Sequence, residues 1–249
     1  MKDKTKVADF YDAFTNHQMK TDVMLNDRHF LLFKKLKSLG LNTNSHVLEL
    51  GCGIGVITSL ISTVVKKGKI TAVDISPKSI EAAKKNIFNK TNIEFIVSDI
   101  LNFSYRGGRL DFITLFDVIE HIPLKDHPAV FKLISSFMNE KTILLINIPH
   151  PHLIEYDRKY HPEDLQIIDE ALQANFILEN AYHAGMNLMF FVSYGIWHED
   201  DYQMIAFNKQ NTFTNIKIAE KRNLFKKITY RLKKRNNKIL LSSVYKINK

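Results

Sequence analysis
From His46 onward, short apolar runs rich in β-branched residues alternate with amphipathic stretches. "HVLEL" (His46–Leu50) predicts a strand and "GVITSLISTVVKK" after it a helix. "KITAVDI" (Lys69–Ile75) predicts the next strand, followed by a helix in "SPKSIEAAKKNIFNK" that opens on Ser76 as cap and Pro77 at its first position. Three further runs read as strands: "IEFIVSD" (Ile93–Asp99), "LDFITLFDV" (Leu110–Val118) and "TILLINI" (Thr142–Ile148), the last preceded by a helix around Ala129–Met138. Beyond them "PEDLQIIDEALQANF" carries a helical pattern, and "ILENAYH" and "YQMIAFN" are candidate closing strands. Near-continuous apolar strands joined by helices indicate an α/β, doubly wound, mostly parallel sheet with right-handed crossovers.

Some 45 residues precede the first strand and are patterned as one or two helices. A helical preface of this kind either lies over the ligand crevice at the carboxyl ends of the strands or covers a sheet face. The chain thus divides into a helical lid at 1–42, an α/β body at 43–208 and a tail at 209–249. A length of 249 residues suits one large α/β domain with additions. A hydrophobic content of 45% and a charged content of 24% are those of an ordinary globular chain.

The charge is unevenly placed. Lys209 to Lys249 hold thirteen Lys/Arg against one acid, Glu220, so the tail carries +12 of a total of +9 and the remainder sums to −3. The basic balance therefore describes the tail and not the body. A single cysteine, Cys52, excludes an internal disulfide. With no apolar leader in "MKDKTKVADFYDAF" and no apolar run near 20 residues, a cytoplasmic protein is expected.

The stretch "VLELGCGIG" (Val47–Gly55) holds the most specific chemistry. Gly51, Gly53 and Gly55 form G-x-G-x-G, whereas a dinucleotide fingerprint places its third glycine one residue later. Glu49, two residues before the first glycine, would repel a pyrophosphate and suits a cation. No Lys-Ser/Thr follows, which excludes a phosphate-binding P-loop. S-adenosylmethionine combines a sulfonium and an α-amino group with a nucleoside and no phosphate. Asp74 ends the second strand, 19 residues after Gly55, where a carboxylate can accept the ribose hydroxyls; NAD would use it equally.

"VLELGCGIG", "AVDIS", "VSDI" and "FDVIEHI" together resemble the class I S-adenosylmethionine-dependent methyltransferases, in particular the small-molecule group that includes ubiquinone-biosynthesis methyltransferases. The resemblance runs from about Val47 to Ile148. It implies a Rossmann-like sheet of seven strands with the last antiparallel, and S-adenosyl-L-methionine as cofactor. Asp99 and Ile100 match the positions at the adenine, Ile75 lies beside the ribose acid, and Phe116 and Asp117 match the motif lining the pocket after the fourth strand. "NDRHFLLFKKL" resembles the helix before the first strand, and Tyr11 lies where several relatives carry a tyrosine over the methionine end.

A hydroxyl acceptor benefits from a general base, usually histidine. His121, after the fourth strand, and His150, just past the fifth, are the catalytic candidates; His152, His161, Tyr156 and Asp157 share the second loop. A proline-stiffened loop with solvated imidazoles explains that cluster equally. H-x-H with a carboxylate is weak evidence for a metal, and none is assigned. Cys52 reads as a small filler, and Arg28 as either a surface ion pair or a partner for a ligand carboxylate. "MNLMFFVSYGIW" suits core, an apolar substrate wall or a dimer face.

In the tail, Ile218, Leu224, Phe225, Ile228, Tyr230 and Leu232 interleave with cations at roughly helical spacing. Solvated chain, peripheral contact with an anionic membrane, and binding of a polyanion are its three readings. The leading expectation is methyl transfer to a hydroxyl, less readily an amine, of a small molecule, sugar or lipid-linked intermediate. An RNA methyltransferase using the tail is the alternative, although the body is acidic and "FDVI" replaces the DPPY- or NPPY-type tetrapeptide of base-amino methylation. A non-catalytic cofactor-binding subunit is the third.

Overall fold
The computed structural model describes residues 25–210; Tyr11 and nearly all of the basic tail lie outside them. Helix α1 (Asp27–Ser38) opens on a reciprocal cap, in which the Asn26 side chain accepts from the His29 amide and the His29 ring accepts from the Asn26 amide. The alternation then follows: β1 (Val47–Leu50), α2 (Val56–Val64), β2 (Ile70–Asp74), α3 (Pro77–Asn86), β3 (Ile93–Val97), β4 (Phe112–Phe116), α4 (His127–Phe137) and β5 (Ile143–Pro149). Ser76 caps α3 through the Ser79 amide with Pro77 at the first position, as the sequence predicts.

The seven strands form one sheet in the order β3-β2-β1-β4-β5-β7-β6. β1 to β5 pair in parallel, and β7 (Tyr202–Asn208) runs antiparallel to both β5 and β6 (Asn187–Tyr194), so the last strand in the chain is the reversed one. Strand alternation sends side chains to two cores. Val47, Ile70 and Phe112 pack with Leu32 and Leu36 of α1 and Ile57 and Ile61 of α2. Leu48, Leu50, Ile113 and Leu115 pack instead with Phe131 and Ile134 of α4 and Ile177 and Ala181 of the helix α6 (Ala174–His183).

Three expectations are corrected beyond β5. The histidine-rich segment is a helix, α5 (Pro151–Tyr160), rather than a loop. "ILENAYH" belongs to α6, because Ile177 and Ala181 are a buried i,i+4 pair on a helical face; the sixth strand is instead "NLMFFVSY", the stretch read as wall, core or dimer face. "PEDLQIIDEALQANF" keeps only a short turn at Pro162–Asp164 and the start of α6. Between them Leu165–Gln173 is a strap without regular structure, whose apolar residues serve tertiary contacts that override their helical spacing. β6 is a sheet edge with Leu188, Met189 and Val192 exposed. No helix among the described residues is long and apolar enough to cross a membrane.

Candidate cofactor and active site
Because β1 is flanked by β2 on one side and β4 on the other, the crossover direction reverses there and a crevice opens at the carboxyl ends of the strands. The cavity at that point measures about 1520 Å³. Its lining includes Glu49, Gly51, Gly53, Asp74 and Ile75 from the first two strand ends, and Asp99, Ile100, Phe116, Asp117 and His121 from the next two. Ten expected site residues thus share one space.

The glycine loop needs its glycines for separate reasons. Gly51, Gly53 and Gly55 all take positive φ, at 79°, 50° and 84°. A Cβ on Gly51 would run into Cγ2 of Val118. One on Gly55, which starts α2 and is not part of the cavity lining, would meet Ile87 at 3.0 Å and Ala83 at 3.1 Å. Gly53 faces open space. Two of the three therefore allow protein packing, and the middle one leaves bare backbone toward the crevice.

Carboxylates hold this loop in place. Asp74 accepts the Gly53 amide at 2.7 Å and the Ser76 amide at 2.9 Å, tying the loop to the end of β2. Glu49 lies within the sheet, 4% exposed, and accepts the Thr58 hydroxyl of α2 at 2.6 Å. Burial pushes its carboxyl up to about 8, with the Asp74 charge adding to the rise and the Thr58 hydrogen bond opposing it. Asp99 accepts the Leu101 amide at 2.9 Å, which caps a single turn at Ile100–Asn102 and fixes the apolar residues beside it. Cys52 is buried, and burial raises its thiol well above the ordinary value, as expected of a filler.

After β4, Asp117 adopts φ of 54° while its amide donates to the Asn147 carbonyl at 2.9 Å. Its carboxylate pairs with Arg28 of α1, whose guanidinium also lies 5.8 Å from the Tyr202 ring centroid. Arg28 is thus an inward latch between the first helix and the β4 end, rather than a surface pair.

His121 closes a turn at Ile119–His121. Its Nδ1 lies 2.8 Å from the Ile168 carbonyl and 2.9 Å from Oδ1 of Asp169, both on the strap. Nε2 lies 4.0 Å from Oε1 of Glu120, which is buried with neither carboxylate oxygen hydrogen-bonded. Burial lowers the affinity of the ring for a proton, but Glu120 and Asp169 outweigh it and leave the pKa raised.

The other histidines occupy different places. His150 caps α5, its Nδ1 accepting the His152 amide at 3.2 Å, and neither it nor His152 belongs to the cavity lining. His161 joins Glu163 and Asp164 in an exposed cluster with ligand atoms close enough for a metal, a cluster that includes neither His150 nor His152. His29 and Asp169 line the cavity and were not among the expected residues. His29 could have been suspected from its place in "NDRHF"; Asp169 carries no local signal, being one acid among several in a segment with a helical pattern.

Residues 41–223 match the family model described as methyltransferase domain. Malonyl-[acyl-carrier protein] O-methyltransferase 1 of Ilyobacter polytropus is 37% identical over 59 residues, 24% of this chain and 22% of that protein. (S)-coclaurine N-methyltransferase of Thalictrum flavum subsp. glaucum is 25% identical over 161 residues, 64% of this chain and 41% of that protein. The matches therefore span well under two thirds of either relative. Among solved structures, magnesium protoporphyrin IX methyltransferase from Synechocystis PCC 6803 with bound SAH superposes with a TM-score of 0.63 at 15% identity, over 83% of this chain and 99% of that one, a likeness of fold. A family match over that span, on a sheet of this order, places the chain in the methyltransferase domain family, among the class I S-adenosylmethionine-dependent methyltransferases.

Proposed function
We propose that the crevice binds S-adenosylmethionine and that the chain transfers its methyl group to a hydroxyl of a small molecule, sugar or lipid-linked intermediate. When bound, the cofactor supplies a methyl group already activated by its sulfonium. The observation that carries the reading is the pairing of an open, side-chain-free Gly53 with a buried carboxyl at Glu49, on the same crevice wall. Bare backbone admits the methionine part closely, and a carboxyl in a poorly solvated place favours a cation and opposes a phosphate.

The remaining residues fit the same ligand. Asp74 suits the ribose hydroxyls, and Asp99 with Ile100 suits the adenine, as the family resemblance implies. Phe116 and Asp117 are assigned to the same pocket. His121, the cavity-lining histidine beyond β4, is assigned as general base, which favours a hydroxyl over an amine acceptor because a hydroxyl must lose its proton. The cavity exceeds the roughly 300–1,000 Å³ of a single drug-sized ligand, which supports a second ligand beside the cofactor. The segment before residue 43 is read as the lid and 43–208 as the catalytic body.

Calorimetric titration with S-adenosylhomocysteine, with NAD as control, tests the reading. Wild type is expected to bind the first and ignore the second. Asp74→Asn, which keeps one acceptor oxygen for the loop amides, is expected to bind at least tenfold more weakly, about 1.4 kcal/mol. NAD binding of comparable strength would overturn the assignment.

A further inference from the structure
The methyl-transfer reading leaves open how a histidine is made to face an acceptor with its basic nitrogen, since the ring has two and only one of them can carry the proton when neutral. At His121 the surroundings of one nitrogen decide this. Nδ1 faces the Ile168 carbonyl at 2.8 Å and an Asp169 carboxylate oxygen at 2.9 Å. Both partners are acceptors, so Nδ1 is the donor and, in the neutral ring, Nε2 is the basic nitrogen.

The strap that supplies these acceptors is itself fastened around them. Oδ2 of Asp169 accepts the Gln166 amide at 2.5 Å. The Asp169 carbonyl accepts Nη2 of Arg158 at 2.6 Å, and the Glu170 amide donates to the Glu120 carbonyl at 2.9 Å. The strap and the turn bearing His121 are therefore joined by main chain one residue to the side of the ring. The Asp169 side chain is only 8% exposed, so its pull on the ring is weakly screened.

Resting on the methyl-transfer reading, we propose that Asp169 is a positioning residue: from the strap it fixes the proton of His121 on Nδ1 and so presents Nε2 to the acceptor hydroxyl. The O–H bond breaks with its electron pair left on oxygen, and the proton passes to Nε2. The resulting imidazolium faces two carboxyl groups, Asp169 from the strap and Glu120 from its own turn, with Arg28 of α1 acting on Glu120. The strap also lines the crevice, through Leu165, Ile167 and Ile168, so one segment both walls the site and holds the base. A strap that served only as cover would need no acid at this place.

The test is ring ¹⁵N spectroscopy of histidine-labelled full-length protein, with His121 assigned from His121→Gln. In wild type the neutral ring is expected to carry its proton on Nδ1, and to titrate above the 6.5 of an ordinary histidine. In Asp169→Asn the midpoint is expected to fall by about one unit as the charge is lost. A wild-type ring protonated on Nε2, or an unshifted midpoint in a folded Asp169→Asn, would overturn the proposal. The wild-type measurement asks only that His121→Gln fold, so that the missing resonance gives the assignment. Calorimetry with S-adenosylhomocysteine on the same samples separates the two levels: failure there sinks the methyl-transfer reading, whatever the ring shows. Once an acceptor is found, Asp169→Asn should lower kcat and move the lower limb of its pH profile with little change in the KM for the cofactor.

Discussion
Single residues in the glycine loop separate folding from binding. Gly51→Ala puts a methyl group into Val118 at a backbone angle that disfavours any side chain. A loss of about 2–4 kcal/mol is expected in denaturant unfolding, partly restored by adding Val118→Ala. Gly53→Ala meets no atom within 4 Å, so only the conformational cost of about 1 kcal/mol is expected, while affinity for S-adenosylhomocysteine falls tenfold or more. Equal effects of the two substitutions on stability would contradict this division. The loop was legible in the sequence because positive φ at three positions demands glycine and leaves a motif behind. Asp169 was not, since its contact with His121 spans 48 residues and exists only once the chain has folded. His150 shows the reverse: a reactive residue type in a suggestive place, engaged in capping a helix.

Elements explain where the reading of secondary structure succeeded. β1, β2, β4 and β5 were recoverable because buried parallel strands are apolar on both faces and each is followed by a helix with its own period. β3, a half-exposed edge strand with no α-helix between it and β4, was recoverable from its short β-branched run alone. After β5, the strap borrows helical spacing for contacts with the crevice, and β6 is half exposed, so neither shows the pattern of its true state. α1 was legible as a helix, but not its attachment. That attachment is the Arg28–Asp117 pair, in which each side chain is about four-fifths buried. Arg28→Met is expected to cost about 3 kcal/mol, by leaving the carboxylate without its partner at a position already at φ of 54°. Combining it with Asp117→Asn should restore at least half of that loss, because asparagine tolerates the same backbone and carries no charge. Strict additivity of the two changes would show that the pair is not coupled.

At the scale of the whole molecule, one proton at Glu49 links pH to stability. Its carboxyl titrates near 4.5 in a solvated chain and near 8 in the fold, so between these values the native state holds the proton more tightly. The contribution is complete below about pH 4.5 and lost as pH rises through about 8, a difference on the order of a few kcal/mol. Unfolding free energies measured from pH 5 to pH 9 should therefore fall more steeply for wild type than for Glu49→Gln, in which all other groups are unchanged. Saturating S-adenosylhomocysteine should flatten the wild-type curve, because its ammonium group lowers the same pKa. Parallel curves for the two proteins would mean that Glu49 is ionised throughout.

The crevice is also assembled from separate stretches of chain, and this bears on descent. Apart from Tyr11, the residues assigned to the cofactor lie between residues 47 and 118, whereas the strap enters as one uninterrupted run, Leu165–Gln173, between α5 and α6. A lineage could replace that run, and with it the partner of the base, without touching the cradle. Chimaeras exchanging only the strap between members of the family are the laboratory equivalent of that history, and on the proposed reading they should keep the donor while changing the recipient.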